Sequence, residues 1–568
     1  MADDSYELAA TLPRSLAQGR SVLLHREPAA RRAPSGLRPG SGMIAAWRAS
    51  ATRLRARRRV LCAAPIALIL AGCAPTAQQE RAQFLGAPAM ERTLARSGLR
   101  VADATAWPRE EWWRAFRSAE LDAIVDKALR DNQSLRKAED ALRGADALVQ
   151  VAGARLLPEV QATFGMRQSR NPLHGVVASY NPAQGGLEKT MAFINPLALT
   201  YELDFWQKNR ALLDAAIGES AAQEAELEQA RLLLTTSVSR AYLRGYAAAR
   251  QLEVAKALTR LRRDLVSLAD ARYRTGLDSL DVVQTARADY ENAVRREAAA
   301  QALLTLQKDA LARLMGEGPD AAHDLYGGRR GVAPATPPLP KSLPIELLAH
   351  RPDLAAALRR AEAAASRVHV AKTLFLPSMD LAITGGFEGS VTSTKINKLA
   401  GYLFAPSAIG YAVSPGLRLP VFQGGRLSGN LEAQRADYDQ AVDSYNETLL
   451  QAAQQVADAI ANLKRARAEY EAQSRYSRVA RVQYDLAQTR LRDGMKDRRE
   501  IVAQRADLLE SGFAQRALEG DRLVAAVDLY QALGGGYAQG PPPMAPKPEP
   551  ENDSLTPAVD LIQSLGGG

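Results

Sequence analysis

The chain repeats itself, and this repeat constrains the fold more than any single motif. The segment RYRTG, which ends at Gly276, recurs as RLRDG, which ends at Gly494, 218 residues later. The same 218 residues separate Gly316, the last residue of ARLMG, from Gly534, the first glycine of QALGG. Similar segments that recur at one constant spacing indicate internal duplication. The sequence therefore predicts two copies of one unit.

Each repeat contains two segments in which apolar and polar residues alternate. In the second repeat, Leu381 and Ile383 alternate with polar or small residues, and Tyr411 and Val413 do the same. The first repeat shows the pattern in residues 160–167 and 197–204. A period of two predicts strands with one apolar face. Each repeat therefore supplies two strands.

A helix of unusual length follows the second strand of each repeat. Residues 426–491 contain no proline and one glycine, Gly429, and residues 209–273 of the first repeat match them. At 1.5 Å per residue, helices of this length extend ~100 Å. Each rod should end at a glycine turn, from which a second helix returns. Before its strands, the first repeat should form a single helix over residues 121–156, and a shorter helix should precede the strands of the second.

Four amphipathic strands are too few to close a transmembrane barrel, which needs at least about eight. A membrane-spanning sheet would therefore be shared by several chains, with its apolar face toward lipid. The long helices would continue below it as a tube. The pattern alone leaves open a soluble antiparallel sheet on a core.

The amino-terminal region has the layout of a secretory signal. A basic stretch, residues 53–59, precedes a short apolar run and the small-residue sequence Leu70-Ala71-Gly72-Cys73. These four residues resemble the bacterial lipobox, which implies acylation of Cys73 and an anchor of several acyl chains. Met43 would then be the natural start, and Pro75, close behind the cysteine, favours sorting to the outer membrane.

The expected organisation has seven parts. They are a non-native extension (1–42), a lipoprotein signal peptide (43–72), an anchor and equatorial segment (73–118), the first repeat (119–326), a Pro/Gly-rich strap (327–344), the second repeat (345–536) and a Pro-rich disordered tail (537–568).

Composition excludes several function classes. The formal net charge is +10, but residues 1–72 hold 12 basic and 4 acidic residues, so the processed chain carries about +2 and has little to attract nucleic acid. The two cysteines, Cys62 and Cys73, leave no pair for a disulfide after processing. Five scattered histidines argue against a metal site, and no catalytic constellation is evident. We expect neither an enzyme nor a cofactor.

Together these residues resemble the TolC-like outer-membrane efflux proteins, and in particular their lipoprotein branch (NodT type). The likeness covers residues 112–536 and rests on segments such as YELDFWQKNR, RYRTGLDSLDVVQTA and LPVFQGGRLSGNLEAQRADYDQ. It implies a membrane β-barrel plus a long α-helical barrel (α+β): a homotrimer sharing twelve strands and a twelve-helix periplasmic tube. It also implies a passive duct for drugs or other small molecules, served by an inner-membrane pump and a periplasmic adaptor. Two alternatives are a duct for protein secretion and a lipid-anchored periplasmic scaffold without a pore.

The resemblance places a gate at the periplasmic helix tips, where both turns are charged. The gate candidates are Arg272, Arg274, Asp278, Asp281, Arg492, Asp497, Arg498 and Glu500. The second turn is unusually basic, and Ala503 stands where the family commonly has an aspartate, which argues against a strongly acidic ring.

Two further motifs are interpreted as structural. HRPDL, residues 350–354, has a proline suited to the first turn of a helix and an aspartate suited to its positive end. Trp112 and Trp113 are expected to be packing anchors rather than ligand contacts.

Overall fold

The computed structural model describes residues 81–86, 88, 92, 100–101, 110–326, 334–335, 337, 342–343, 350–495 and 497–537. The signal peptide, Cys73, Lys496 and the tail beyond residue 537 lie outside these ranges, and so does most of the strap. Within them the chain forms six strands and nine α-helices. No helix in the described ranges is both long and apolar enough to cross a membrane.

The first repeat contains three shorter helices, two strands and a long hairpin. Its elements are α1 (Ala119–Asp131), α2 (Gln133–Ala154), β2 (Glu159–Arg170), α3 (Val176–Tyr180), β3 (Glu188–Leu203), α4 (Lys208–Arg274) and α5 (Leu280–Leu314). A two-residue strand, β1 (Arg100–Val101), precedes it and pairs in parallel with β4 (Ser342–Leu343) from the strap.

The second repeat has the same order. Its elements are α6 (Pro352–Thr373), β5 (Ser378–Thr392), α7 (Leu399–Leu403), β6 (Ile409–Arg418), α8 (Arg426–Arg492) and α9 (Arg498–Ala532). The rods α4 and α8 are 67 residues each, and α5 and α9 are 35 each, so the two hairpins match in length. The predicted ~100 Å rods are confirmed.

The four long strands form one antiparallel sheet in the order β2-β3-β5-β6. Directly opposite residues share a face, and the register pairs Val160 with Leu199, Leu199 with Ile383 and Ile383 with Val413. This row of four apolar residues crosses the whole sheet. Tyr411, on the same face, is 87% exposed. The predicted alternation is confirmed. At β6, no part of the described chain covers this apolar face.

The helices pack in two sets of four, and both sets include the rods α4 and α8. Near the sheet, the packing order is α2-α4-α6-α8, and toward the far tips it is α5-α4-α9-α8. Each rod thus passes from one set of neighbours to the other along its length. In both sets α8 lies at one edge of the chain.

One sequence expectation was wrong. The first helix of repeat one breaks at Asn132, which takes an extended conformation and divides α1 from α2. Its side chain accepts hydrogen bonds from the backbone N–H groups of Ser134 and Leu135, and its amide donates to the carbonyl of Leu314 at 2.8 Å. The capping bonds compensate the interrupted helix. The contact with Leu314 joins the break to the end of α5.

The largest cluster of buried apolar residues in the described part of the chain lies midway along the rods, where the two hairpins end. Trp112 and Trp113 are buried there, and Trp112 stacks on Tyr530 with ring centroids 5.1 Å apart. Their expected role as packing anchors is confirmed. Gly316, just after α5, has φ +77°, and a Cβ added to it would overlap the carbonyl oxygen of Asp131.

The HRPDL motif begins α6, as expected, and it also ties the start of the second repeat to the hairpin of that repeat. Pro352 opens the helix and Asp353 lies in its first turn. Arg351 is buried and donates hydrogen bonds to Asp353, to Gln455 at 2.8 Å and to the carbonyl oxygen of Ala532 at 2.9 Å. The start of repeat two is thereby tied to α8 and to the end of α9.

Candidate functional site at the helix tips

Both rods end in the same backbone turn. In the first, Gly276 has φ +72°, its N–H bonds to the carbonyl of Tyr273, and the N–H of Leu277 bonds to the carbonyl of Arg272. In the second, Gly494, with φ +67°, and Met495 make the corresponding two bonds. This pair of bonds defines a Schellman motif, whose left-handed position favours glycine. The duplication thus preserved the turn geometry.

The charges on the two turns have diverged. Shifting repeat one by 218 residues places Asp278 on Lys496 and Asp281 on Arg499. Two acidic positions of the first turn are therefore basic in the second. The acidic residues of the first turn and the basic residues of the second therefore attract each other across the two hairpins. Two identical acidic turns would repel each other instead.

Asp278 is the centre of the tip cluster. Arg272 donates to it from Nε at 2.8 Å and from Nη2 at 3.3 Å, within the first turn. Arg499, from the other repeat, donates from Nη1 to the same carboxylate at 3.1 Å. Only 5% of the Asp278 side chain is exposed. One carboxylate therefore links the tips of both hairpins.

Asp497 holds Arg499 in position. Its side chain caps α9 by accepting the backbone N–H of Arg499 at 2.8 Å, and it also accepts the Arg499 Nε–H at 2.9 Å. The first repeat has Ser279 at this place, and that side chain makes no capping bond. The aspartate cap therefore orients the guanidinium that crosses to Asp278.

Both carboxylates favour their charged form. Hydrogen bonds from Arg272 lower the pKa of Asp278 below its usual value, and the charges of Arg272 and Arg499 act in the same direction. Hydrogen bonds from the backbone and side chain of Arg499 lower the pKa of Asp497. The cluster is consequently fully charged at neutral and mildly acidic pH.

The eight predicted gate residues divide into two groups. Arg272, Asp278 and Asp497 belong to the cluster. The other five lie around the two turns, with Arg274, Asp281, Arg492 and Arg498 exposed and Glu500 half-buried. Arg492 donates to the hydroxyl of Thr489 at 3.2 Å.

Arg499 was not among the candidates, although it makes the contact between the two turns at the tips. The sequence signal was the Asp-Arg-Arg run beginning at Asp497. An aspartate at a helix start predicts a cap, and the second residue after it can fold back onto the same carboxylate. Nothing in the run indicated that this arginine would also reach the other hairpin.

A second set of ion pairs lies on the hairpins away from the turns. Arg262 of α4 contacts Asp289 of α5 at 2.8 Å and Glu510 of α9 at 3.4 Å. Arg296 of α5 approaches Glu510 at 3.7 Å. These contacts connect α4, α5 and α9, so ion pairs also hold the two hairpins together behind the tips. Among the described residues, no three His, Cys, Asp or Glu side chains gather as metal ligands would.

This duplicated sheet-and-rod fold is similar to that of solved outer-membrane proteins. The outer membrane protein VceC of Vibrio cholerae matches with a TM-score of 0.65 and 30% identity over 76% of this chain and all of VceC. The Campylobacter jejuni CmeC outer membrane channel matches with a TM-score of 0.70 over 86% of this chain and 99% of its own, and at 20% identity it supports the fold alone.

Sequence comparison identifies the family. Residues 124–317 and 343–535 match the outer membrane efflux protein family. The chain is 30% identical over 486 residues to the pyoverdine export outer membrane protein OpmQ of Pseudomonas putida, which covers 84% of this chain and 98% of OpmQ. It is 29% identical over 448 residues to the multidrug resistance outer membrane protein MdtP of Escherichia coli, covering 77% and 88%.

The chain belongs to the outer membrane efflux protein family. It is an outer-membrane protein that acts as an exit duct in a multi-component efflux system. The family and the duct function predicted from the sequence are confirmed. The lipoprotein branch stays a prediction.

Proposed function

We propose that three copies of this chain form the exit duct of a tripartite pump for small molecules, and that the tip cluster closes the duct at rest. The pairing of Asp278 with Arg499 carries this proposal, because it joins the two repeats at the end of the rods farthest from the sheet. The partners would be an inner-membrane pump and a periplasmic adaptor, which supply the energy and the connection that a passive duct lacks.

Unpartnered edges support the trimer. Within the described residues, β2 and β6 each pair with one strand of this sheet, so their outer hydrogen-bonding edges are available to other copies. On α8, an edge helix, Tyr476, Val479, Val482 and Leu486 are exposed. Their spacing of three, three and four residues forms an apolar stripe, which a neighbouring chain would cover. The four-stranded sheet and each set of four packed helices would make twelve strands and twelve helices around the axis of a trimer.

Small molecules are the proposed cargo. Two relatives matched along most of their length are named for pyoverdine export and multidrug resistance. Pyoverdine and drugs are both compounds far smaller than a protein. We therefore favour small-molecule export over protein secretion for this chain.

The proposal includes a lipid anchor at Cys73 and the domain boundaries given above. The lipobox resemblance supports acylation, and the elements of the two repeats fall within residues 119–326 and 345–536. The gate role extends to Arg274, Asp281, Arg492, Arg498 and Glu500 as neighbours of the cluster.

The native mass of detergent-extracted protein tests the assembly. We expect three times the mass of the processed chain, and conductance across a planar bilayer from that species. A monomer that conducts would refute the shared duct. Loss of the gene should raise the susceptibility of the cell to small toxic compounds, whereas accumulation of an unsecreted protein with unchanged susceptibility would favour protein secretion.

A further inference from the structure

A short segment between β5 and β6 folds back over the sheet. This rim segment, residues 393–404, runs from the end of β5 through α7. Leu399 and Leu403 of α7 are buried together with Val391 of β5. Val391 lies on the same face of β5 as Ile383, because the two are an even number of residues apart. The rim segment therefore covers part of the apolar face that the sequence predicts to meet lipid.

Gly389 allows α7 to lie close to the sheet. A Cβ added to this glycine would be 3.1 Å from the backbone nitrogen and the Cα atom of Leu403. That is closer than the ~3.5–4.0 Å of an ordinary contact between carbon atoms. Leu399 and Leu403 are four residues apart, so they project from the same face of the helix. Two leucines, and the absence of a side chain beneath them, thus fix the position of α7 on the sheet.

The height of α7 coincides with the end of the apolar band on the sheet. Met379 pairs with Leu203, which lies just before α4, so this end of β5 adjoins the rods. From Met379 to Phe387 the apolar face extends ~26 Å along the strand, at ~3.3 Å per residue. A transmembrane sheet of the outer membrane presents an apolar band of ~25 Å to lipid. Gly389, beneath α7, is the next residue on this face, so the rim segment lies at the level of the lipid headgroups.

The rim segment presents basic and aromatic side chains to its surroundings. Lys395 and Lys398 are exposed, and Tyr402 and Phe404 are 52% and 66% exposed. Lys398 and Tyr402 are four residues apart, so they are neighbours on one side of the helix. At a membrane interface, aromatic rings lie at the level of the headgroups, and a lysine stem extends along apolar surface while its ammonium group reaches polar groups. The exposed side of the rim segment has both kinds of residue.

The rim segment and the strand after it contain no acidic residue. After Glu388, the next acidic residue in the sequence is Glu432. Glu188, at the same end of the sheet, lies directly opposite Arg170, so these two charges offset each other. The corresponding loop of the first repeat, residues 171–187, has no lysine, arginine or acidic residue. This end of the sheet is therefore positive at the rim segment, which favours a negatively charged partner there.

We propose that the rim segment is a binding site for a phosphorylated glycolipid of the outer leaflet. The ammonium groups of Lys395 and Lys398 pair with its phosphates, and the rings of Tyr402 and Phe404 lie against its acyl chains. The ligand class is a lipid with several acyl chains and two phosphates, as in lipid A. This inference rests on the orientation of the chain in the proposed function, with the rods in the periplasm, and it adds one lipid site per copy.

Lipid binding to the purified processed protein tests the site. The protein in a nonionic detergent is titrated with bisphosphorylated lipid A, and the bound lipid is counted by native mass spectrometry. The rim variant, Lys395→Gln with Lys398→Gln, removes both ammonium groups. A matched control, Lys137→Gln with Lys256→Gln, removes the same charge from exposed positions on α2 and α4. A lysine near an anionic lipid surface contributes a factor of about 5 in affinity, so the rim variant should bind lipid A about 25-fold more weakly.

The control should bind lipid A as tightly as the parent, and Lys395→Arg with Lys398→Arg should retain most of the affinity. Inorganic phosphate should not compete, because it has no acyl chains, and phosphatidylglycerol should compete poorly, because it has one phosphate. Equal affinity of the parent and the rim variant for lipid A overturns the inference. An equal loss of affinity in the control overturns it too, and so does full competition by inorganic phosphate or by phosphatidylglycerol.

Substitutions at two glycines test whether the position of α7 on the sheet matters. Gly389→Val places a side chain between the sheet and Leu403, whereas Gly401→Val adds one where nothing lies within 4 Å of the Cβ. The first variant should bind lipid A more weakly and the second should bind it like the parent, and equal binding by both would contradict the site. Failure of lipid binding leaves the duct as proposed, because native mass and bilayer conductance of the parent are measured without lipid A.

Discussion

Arg499 offers a sharp test of the tip gate because its neighbour is a matched control. Arg499→Ala removes the guanidinium that bridges to Asp278 at 3.1 Å, while Arg272 keeps its own two bonds to that carboxylate. The cap of α9 also survives, since Asp497 still accepts the backbone N–H of residue 499. Arg498→Ala removes an equal charge from the same helix turn, where the side chain is exposed.

The expected size follows from the number of bridges broken. Each chain contributes one Arg499–Asp278 bridge at its tips, so a trimer contributes three. Arg499 is 45% exposed, and an exposed ion pair shifts an equilibrium by a factor of about 1.5–5. Three independent bridges then shift the ratio of open to closed ducts by about 3-fold to about 100-fold.

Resting conductance in a planar bilayer at low salt is the assay. Arg499→Ala should raise it and Arg498→Ala should leave it near the parental value. At ~1 M salt the Debye length falls to ~3 Å, so the parent should approach the Arg499→Ala variant. Equal conductance of parent and Arg499→Ala at both salt concentrations would show that the bridge does not close the duct. An equal rise in both variants would assign the effect to net charge.

Three further predictions follow from the described contacts and the sequence. The pKa values of Asp278 and Asp497 are lowered, so both carboxylates stay charged and paired above the usual pKa of 3.8, and the pairing is lost as the pH falls through the lowered values. Resting conductance should therefore be constant from pH 7 to pH 5 and rise only below pH 3.8. A rise between pH 7 and pH 5 would contradict this. In thermal denaturation, Gly316→Ala should lower the free energy of unfolding by about 2 kcal/mol or more, because residue 316 has a positive φ and its added Cβ would overlap a backbone oxygen. The control Gly318→Ala should be nearly neutral, because residue 318 has a negative φ and nothing lies near its added Cβ. Similar losses of unfolding free energy in both variants would be inconsistent with strain at Gly316. Cys73→Ser should abolish palmitate labelling and block signal cleavage, and unchanged labelling would exclude this residue as the lipid site.

The internal repeat and its periodicities determined most of the fold. The 218-residue offset predicted two equivalent units, and the change from alternation to long proline-free runs predicted where strands pass into rods. These signals are strong because a strand face and a helix stripe repeat over many residues. Glycine at the tips was equally informative, since a left-handed turn position favours that residue alone.

A single side chain can interrupt or redirect a helix, and it leaves no periodic signal in the sequence. Asn132 breaks one helix into two because it caps α2 and reaches Leu314, which is 182 residues away. The helical periodicity runs on through the break, so sequence reasoning predicted one continuous helix. A partner that far along the chain is brought close only by packing of α5.

The candidate site shows the same division. The sequence alone determined that both turns are charged and that their charges differ between repeats, because these are properties of residue type and position. Only the tertiary structure decided that Arg499, rather than its neighbour Arg498, meets Asp278. That choice depends on which way each side chain leaves the first turn of α9 and on how closely the two hairpins pack. Successive residues of a helix point in directions about 100° apart, so adjacent arginines of equal charge have different partners.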